Sequence, residues 1–281
     1  MNFIAIDVET ANADMSSICQ IGIAHYQDGK ISKEWVSYIN PEDYFDGINI
    51  SIHGIDEEMV IDAPTFQEIS KELQDQLNNH IVVCHTHFDR VAIKQASEKH
   101  SLPPIQCTWL DSARVVRRTW LEFSKSGYGL NNICNFLGYE FKHHDALEDA
   151  KAAGHILIAA SNESGIDLDS WVKRINQPIA PITENEINPD GTLFGEILVF
   201  TGELEIPRRE AAKMAAQIGC QVASNVTKKT SILVVGDQDV SKLAGHKKSS
   251  KHRKAEQLIL NGSSIRIIRE TDFKEMVLIS E

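Results

Sequence analysis

Residues 177–191 hold three of the chain's eight prolines and no sustained periodicity. Pro178 and Pro181 favour extended backbone, and Pro189-Asp190-Gly191 signals a turn. The stretch reads as a linker that divides the 281-residue chain into residues 1–176 and 192–281. Length agrees with that division, since a single core seldom grows past about 250–300 residues. Charge divides at the same place. Residues 1–176 carry fourteen Lys/Arg against twenty-six Asp/Glu, and residues 192–281 carry fourteen against eleven. Lys242 to Lys254 alone holds six bases and no acid. Two units with different electrostatic roles are implied.

With 42% hydrophobic and 24% charged residues, the chain is neither disordered nor collagen-like. No apolar run approaches the roughly 20 residues of a membrane span. The run from Met1 to Asp7 lacks the basic region of a signal peptide. Cys19, Cys84, Cys107, Cys134 and Cys220 form a scattered, odd set without a Cys-x-x-Cys pair, as expected of small core residues in a reducing compartment. A soluble cytoplasmic protein with no membrane partner is the expectation.

In the first unit, Phe3–Val8 is a short apolar run, and Ile18–Tyr26 and Ile31–Ile39 flank a turn at Gln27-Asp28-Gly29-Lys30. That pattern predicts an antiparallel meander. Thr65 and Glu68 match a capping box, after which Phe66, Ile69, Leu73 and Leu77 recur at helical spacing. A buried strand follows at Ile81–Cys84, then helices at Asp89–Lys99, Leu130–Leu137 and Asp145–Ala160. Strands first and helices interleaved later predict an α/β fold with a mixed sheet. In the second unit, strands are predicted at Glu196–Phe200, Gln221–Ala223, Ser231–Val235 and Ile265–Ile268. Helices are expected from Pro207 to Ile218, over Lys251–Leu260 and near Thr271–Ile279. Four short strands with two crossover helices make a small parallel sheet.

Asp7 and Glu9 end the first strand and, two apart, project from one face. Adjacent carboxylates on a strand repel unless a cation lies between them. Asp89 follows the buried strand, within His85-Thr86-His87-Phe88-Asp89, and could serve as a helix N-cap. A zinc site from His85 and His87 is conceivable, but no further Cys or His is spaced to complete it. His144 and Asp149 open the last helix of this unit. Their spacing can bring both to one site, and acids at a helix N-terminus also act as caps.

These four acids and one histidine, in this order over three segments, resemble the DEDDh exonucleases. That group includes the proofreading epsilon subunit of bacterial DNA polymerase III. Ile18-Cys19-Gln20-Ile21-Gly22, Ile52-His53-Gly54-Ile55, Trp109-Leu110-Asp111-Ser112 and Tyr128-Gly129-Leu130-Asn131 extend the resemblance over about residues 1–165. Thr86 departs from it, since many relatives place Asn after the His. The resemblance implies a ribonuclease H-like fold in which Asp7, Glu9, Asp89 and Asp149 hold two Mg²⁺ or Mn²⁺ ions per active site. It also implies that His144 is the general base for an attacking water. His143 is a neighbouring alternative, one residue off in its spacing to Asp149. Oxygen-only ligands agree with hard divalent cations.

Residues Ile197 to Leu204, followed by Pro207-Arg208-Arg209-Glu210-Ala211, resemble a BRCT domain of the kind found in bacterial NAD-dependent DNA ligases and the replication factor C large subunit. Ile218-Gly219-Cys220, Val226 to Thr230, Leu233 to Gly236 and Lys254-Ala255 extend the match over about 192–281. Asp272-Phe273 stands where the family's last helix carries Trp. In phosphate-binding members the positions of Thr201, Gly202, Arg208 and Lys251 form the pocket. That implies a DNA 5′-phosphate or, second, a phosphopeptide as partner, with diffuse backbone contacts from Lys242 to Lys254.

The function so implied is a 3′→5′ exonuclease acting on nucleic-acid 3′ ends, DNA favoured, and releasing nucleoside 5′-monophosphates in repair or replication. An exoribonuclease would use the same five residues, because only recognition of the 2′-OH distinguishes the substrates. A dead nuclease fold tethering a BRCT adaptor is the reading of a different class, and the complete residue set argues against it. No polymerase-binding tail follows the nuclease unit, which favours a free-standing or repair-associated enzyme over a constitutive polymerase subunit.

Overall fold

The computed structural model describes residues 1–120, 123, 127–177, 187–236 and 248–280. Most of the predicted linker, and Lys242 to Lys247 of the basic run, lie outside the described residues.

The N-terminal unit is built on a five-stranded mixed sheet of order β3-β2-β1-β4-β5. β1 (Phe3–Thr10) pairs antiparallel with β2 (Ile18–Gln27), which pairs antiparallel with β3 (Lys30–Tyr38). β4 (Ile81–Cys84) and β5 (Thr108–Asp111) run parallel to β1. β1 is central and covered on both faces, which is why it opens as the apolar run Phe3–Ile6. Ile4, Ile6 and Val8 face α3 (Phe66–Leu77) and α4 (Phe88–Lys99). Phe3 and Ala5 face α5 (Ser112–Thr119), α6 (Leu130–Leu137) and α7 (Ala146–Ser164). Two short helices, α1 (Gly47–His53) and α2 (Glu57–Val60), follow the meander, and α8 (Leu168–Arg174) closes the unit with fully buried Trp171.

The C-terminal unit carries a four-stranded parallel sheet of order β7-β6-β8-β9. Its strands are β6 (Ile197–Thr201), β7 (Gln221–Val222), β8 (Ile232–Val235) and β9 (Arg266–Arg269). The helices are α9 (Arg208–Gln217), α10 (Ser250–Leu260) and α11 (Glu270–Ser280). β9 begins one residue later than its apolar pattern predicts, because Ile265 packs in the core ahead of the ladder. Phe273, in the place of the family's Trp, is fully buried edge-on against Phe200 at 5.2 Å between ring centres.

The described part of the expected linker, residues 187–191, is pinned rather than loose. Buried Arg117 donates from Nε to the Phe194 carbonyl (3.1 Å), from Nη1 to that of Gly191 (2.8 Å) and from Nη2 to that of Thr192 (3.0 Å). Arg118 pairs with Asp190 at 3.1 Å. Further contacts join the units along α4 and α11, where Lys94 pairs with Glu275, and along α1 and α10, where Ile48 and Ile52 pack against the cluster of Ala255 and Ile259.

Candidate active site

Strand alternation sends Asp7 and Glu9 to the same face of β1 as Phe3 and Ala5, the face that α7 covers. α7 can lie close because Gly22, opposite Asp7 on β2, has no side chain. A Cβ there would stand 2.2 Å from the Leu147 nitrogen and 2.3 Å from the Ala146 carbonyl carbon. Gln20 Oε1 accepts the Ala146 N–H at 3.0 Å, and Asp145 caps the helix from outside. The N-terminal turn of α7 thereby sets Asp149 against the strand. Candidate ligand oxygens of Asp7, Glu9 and Asp149 lie within 4.8 Å of one another, and all three residues are buried.

Asp89, in the first turn of α4, is held at the same strand end by the Val8 N–H, which donates to its Oδ1 at 3.1 Å. It borders the cluster without joining the three-oxygen group. His143 Nδ1 donates to Asp149 at 3.0 Å, and the His144 N–H donates to the same carboxylate oxygen at 3.1 Å. His144 takes left-handed backbone (φ 66°), and its ring Nδ1 lies 3.9 Å from Glu9. The two imidazoles stack with centres 3.8 Å apart. Both histidines thus stand at the site: His143, named as the alternative to His144 because its spacing to Asp149 is one residue off, reaches Asp149, and His144 faces Glu9.

The electrostatics of the cluster favour positive charge. Burial, then the charges of Asp89, Asp149 and Glu9, raise the Asp7 carboxyl well above the ordinary range. Burial lifts Glu9 to about 8 and Asp89 to about 7, against the opposing charge of Arg266. Burial, then His143, hold His144 down to about 3, so its ring is neutral. Buried carboxyls crowded this closely, with oxygen donors only, fit a hard divalent cation.

The motif around Asp89 is structural. His85 Nε2 faces the Tyr128 carbonyl at 2.7 Å and must donate, so Nδ1 accepts the Ser112 hydroxyl at 2.8 Å. That neutral ring ties β4 to α5 and to the chain entering α6. His85 and His87 do not form part of a metal-binding group among the described residues. Thr86 has φ 70°, where a β-branched residue is strained and Asn is tolerated, and its buried hydroxyl finds no partner among the described residues. His53 accepts the Ile55 N–H on Nδ1 (3.0 Å) and donates from Nε2 to the Thr10 carbonyl (3.1 Å), clamping α1 to the end of β1.

In the C-terminal unit, Thr201, Gly202, Arg208 and Lys251 converge at the end of β6. The Thr201 and Ser249 hydroxyls lie 2.7 Å apart, Lys251 donates to the Phe200 carbonyl (3.1 Å) and Arg208 donates to that of Gly202 (2.6 Å). Sequence reasoning missed Ser249, the N-cap of α10, whose signal was a serine two residues before the basic helix. Lys248 is committed elsewhere, to Glu256 and Asp46.

Residues 4–157 match the RNase_T family model, described as Exonuclease, and residues 195–276 match the BRCA1 C Terminus (BRCT) domain. The PolC-type DNA polymerase III of Caldanaerobacter subterraneus subsp. tengcongensis is 29% identical over 160 residues. That of Bacillus cereus is 26% identical over 160 residues. Each alignment covers 56% of this chain and 11% of the polymerase, so the chain spans a small part of the length of these relatives. Among solved structures, E. coli Exonuclease I in complex with a 5cy-dA13 oligonucleotide shares the fold, with a TM-score of 0.52 at 11% identity. That likeness covers 62% of this chain and 42% of the other. The chain belongs to the exonuclease family, with a BRCT domain following its nuclease fold.

Proposed function

We propose that the chain is a metal-dependent 3′→5′ exonuclease that removes nucleoside 5′-monophosphates from DNA 3′ ends. The observation that carries this reading is the cluster of Asp7, Glu9 and Asp149, buried, within 4.8 Å, and flanked by Asp89 and two histidines. Asp7, Glu9, Asp89 and Asp149 would hold two Mg²⁺ or Mn²⁺ ions. Bound there, such a pair supplies Lewis-acid stabilisation of the attacking and leaving oxygens in phosphodiester hydrolysis. His144, neutral and beside Glu9, takes the proton of the attacking water on a ring nitrogen as the water oxygen bonds to phosphorus, the bond from phosphorus to the 3′ oxygen breaks, and the departing 3′ oxygen takes a proton from solvent. His143 holds and orients Asp149. DNA is favoured because the relatives named above are DNA polymerases.

The test is digestion of 5′-labelled single-stranded DNA and RNA of one sequence with Mg²⁺, Mn²⁺ or EDTA. We expect a ladder shortened from the 3′ end, abolished by EDTA and faster on DNA. His144→Ala should slow it by roughly 10²–10⁴-fold, the usual worth of a positioned general base. The absence of any 3′ shortening with either metal would refute the reading, and faster RNA digestion would make the chain an exoribonuclease. For the BRCT domain, Thr201, Gly202, Arg208 and Lys251 are the proposed pocket for a DNA 5′-phosphate, with a phosphopeptide second. The two cations, now spent on carbonyls, would turn to the phosphate.

A further inference from the structure

The nuclease unit carries a large excess of acid, and its metal cluster adds buried carboxyls, yet its proposed substrate is a polyanion. The C-terminal unit brings further cations to this region, because its β9 edge and α11 pack along α4. Most basic side chains of that unit facing this junction are committed. Arg269 binds Asp14 (2.9 Å) and Asp272 (3.0 Å), and Lys274 pairs with Glu205 (2.7 Å). Arg266 differs. It is exposed on edge strand β9, and among the described residues no carboxylate lies within ion-pair distance of its guanidinium. Its Cζ sits 4.2 Å from the centre of the buried Phe88 ring, the neighbour of Asp89 in α4.

Stacking on an aromatic ring fixes the guanidinium plane and leaves its N–H edge free to donate. We infer that Arg266, lent by the BRCT domain, grips a backbone phosphate of the strand whose 3′ end occupies the carboxylate cluster. The inference rests on the exonuclease reading above. Phe88 precedes Asp89 in the first turn of α4, so the stacked guanidinium stands beside the cluster without pairing with its carboxylates. A strand whose 3′ end enters the cluster would meet this guanidinium behind the scissile linkage, at its second or third phosphate. The BRCT domain thus completes the substrate path instead of serving only as a distant tether.

The experiment measures release of the 3′-terminal nucleotide from single-stranded DNA by the full-length protein, wild type and Arg266→Gln. The substrates carry either normal linkages or one neutral methylphosphonate at the second or third linkage from the 3′ end. With normal DNA, Arg266→Gln should lose about tenfold in kcat/KM, mostly through KM, as for one charge-assisted contact. The slope of log kcat/KM against log salt should flatten by about 0.7, one phosphate contact on a single strand. At one of the two linkages the methylphosphonate should cost the wild type the same factor and Arg266→Gln nothing further. Arg266→Lys should keep the salt slope. Independent losses at both linkages, or faster hydrolysis by Arg266→Gln, would overturn the inference. A wild type that releases no 3′ nucleotide would instead refute the exonuclease reading beneath it.

Discussion

Asp7 is 6% exposed and crowded by three other acids, so its charge is a liability to the free protein and useful only beside a cation. Asp7→Asn should abolish hydrolysis, yet raise the melting temperature in EDTA by a few degrees. It should also remove the further rise that Mg²⁺ gives the wild type. Calorimetry with and without Mg²⁺ checks this, and a lower melting temperature in EDTA would contradict it. His85 behaves in the opposite sense. Burial pushes it from the ordinary 6.5 down to about 4, so between those values the unfolded chain takes a proton that the folded one refuses. Its contribution is full above pH 6.5 and is lost as pH falls toward 4, by about 3 kcal/mol in all. Urea titrations of wild type and His85→Gln at pH 7.5, 5.5 and 4 isolate that loss, and a pH-independent difference would refute it. At this scale no single acid was legible, since Asp-x-Glu at a strand end or an acid at a helix start has ordinary uses; the four acids and His144 stood out only as an ordered set that resembles a family. The part played by His143 did not, since a left-handed backbone at the next residue leaves no mark in the spacing.

Among elements, segments with an unbroken apolar run or a clear cap were readable even when short, and those without either were not. β4 and α6 have the bounds that their apolar patterns predict, and α3 its capping box, with Thr65 and Glu68 exchanging bonds. β5, α1, α2, α5 and α8, of four to eight residues each, have neither the unbroken apolar run of β4 nor the flanking glycines of α6 to mark them. α5 is also rich in arginine, which hides its buried face until the residues it touches are known. The junction of β2 and α7 makes the sharpest demand at this scale. Gly22→Ala drives a Cβ into the backbone of Ala146 and Leu147, which cannot yield as a side chain would. We expect a loss of about 3 kcal/mol, together with lost hydrolysis because α7 carries Asp149. Gly47→Ala, where a Cβ meets nothing within 4 Å, is the control. Equal melting temperatures for the two variants would show that α7 tolerates displacement.

Across the whole molecule, the two units share an apolar cluster that runs from Ile4 and Val91 to Leu198 and Met276, and Arg117 rivets residues 191–194 to α5. Heating should therefore give one cooperative transition. Arg117→Ala strips donors from three carbonyls and should cost about 3 kcal/mol. It should also split the transition in two, with the C-terminal unit melting first. Calorimetry decides, and two transitions in the wild type would refute the coupling. The linear chain was enough to determine both α/β sheets and, through its resemblance, to single out the four acids of the candidate site in the first. Strand alternation, helix period and cap residues are local properties that each segment carries with it. Tertiary structure alone decided what the units do to each other. An arginine on an edge strand reads the same in sequence whether water or the Phe88 ring covers it, and the Pro-Asp-Gly turn reads as linker until Arg117 reaches it. Periodicity reports that a side chain is buried; which distant residue buries it is settled only when the whole chain packs.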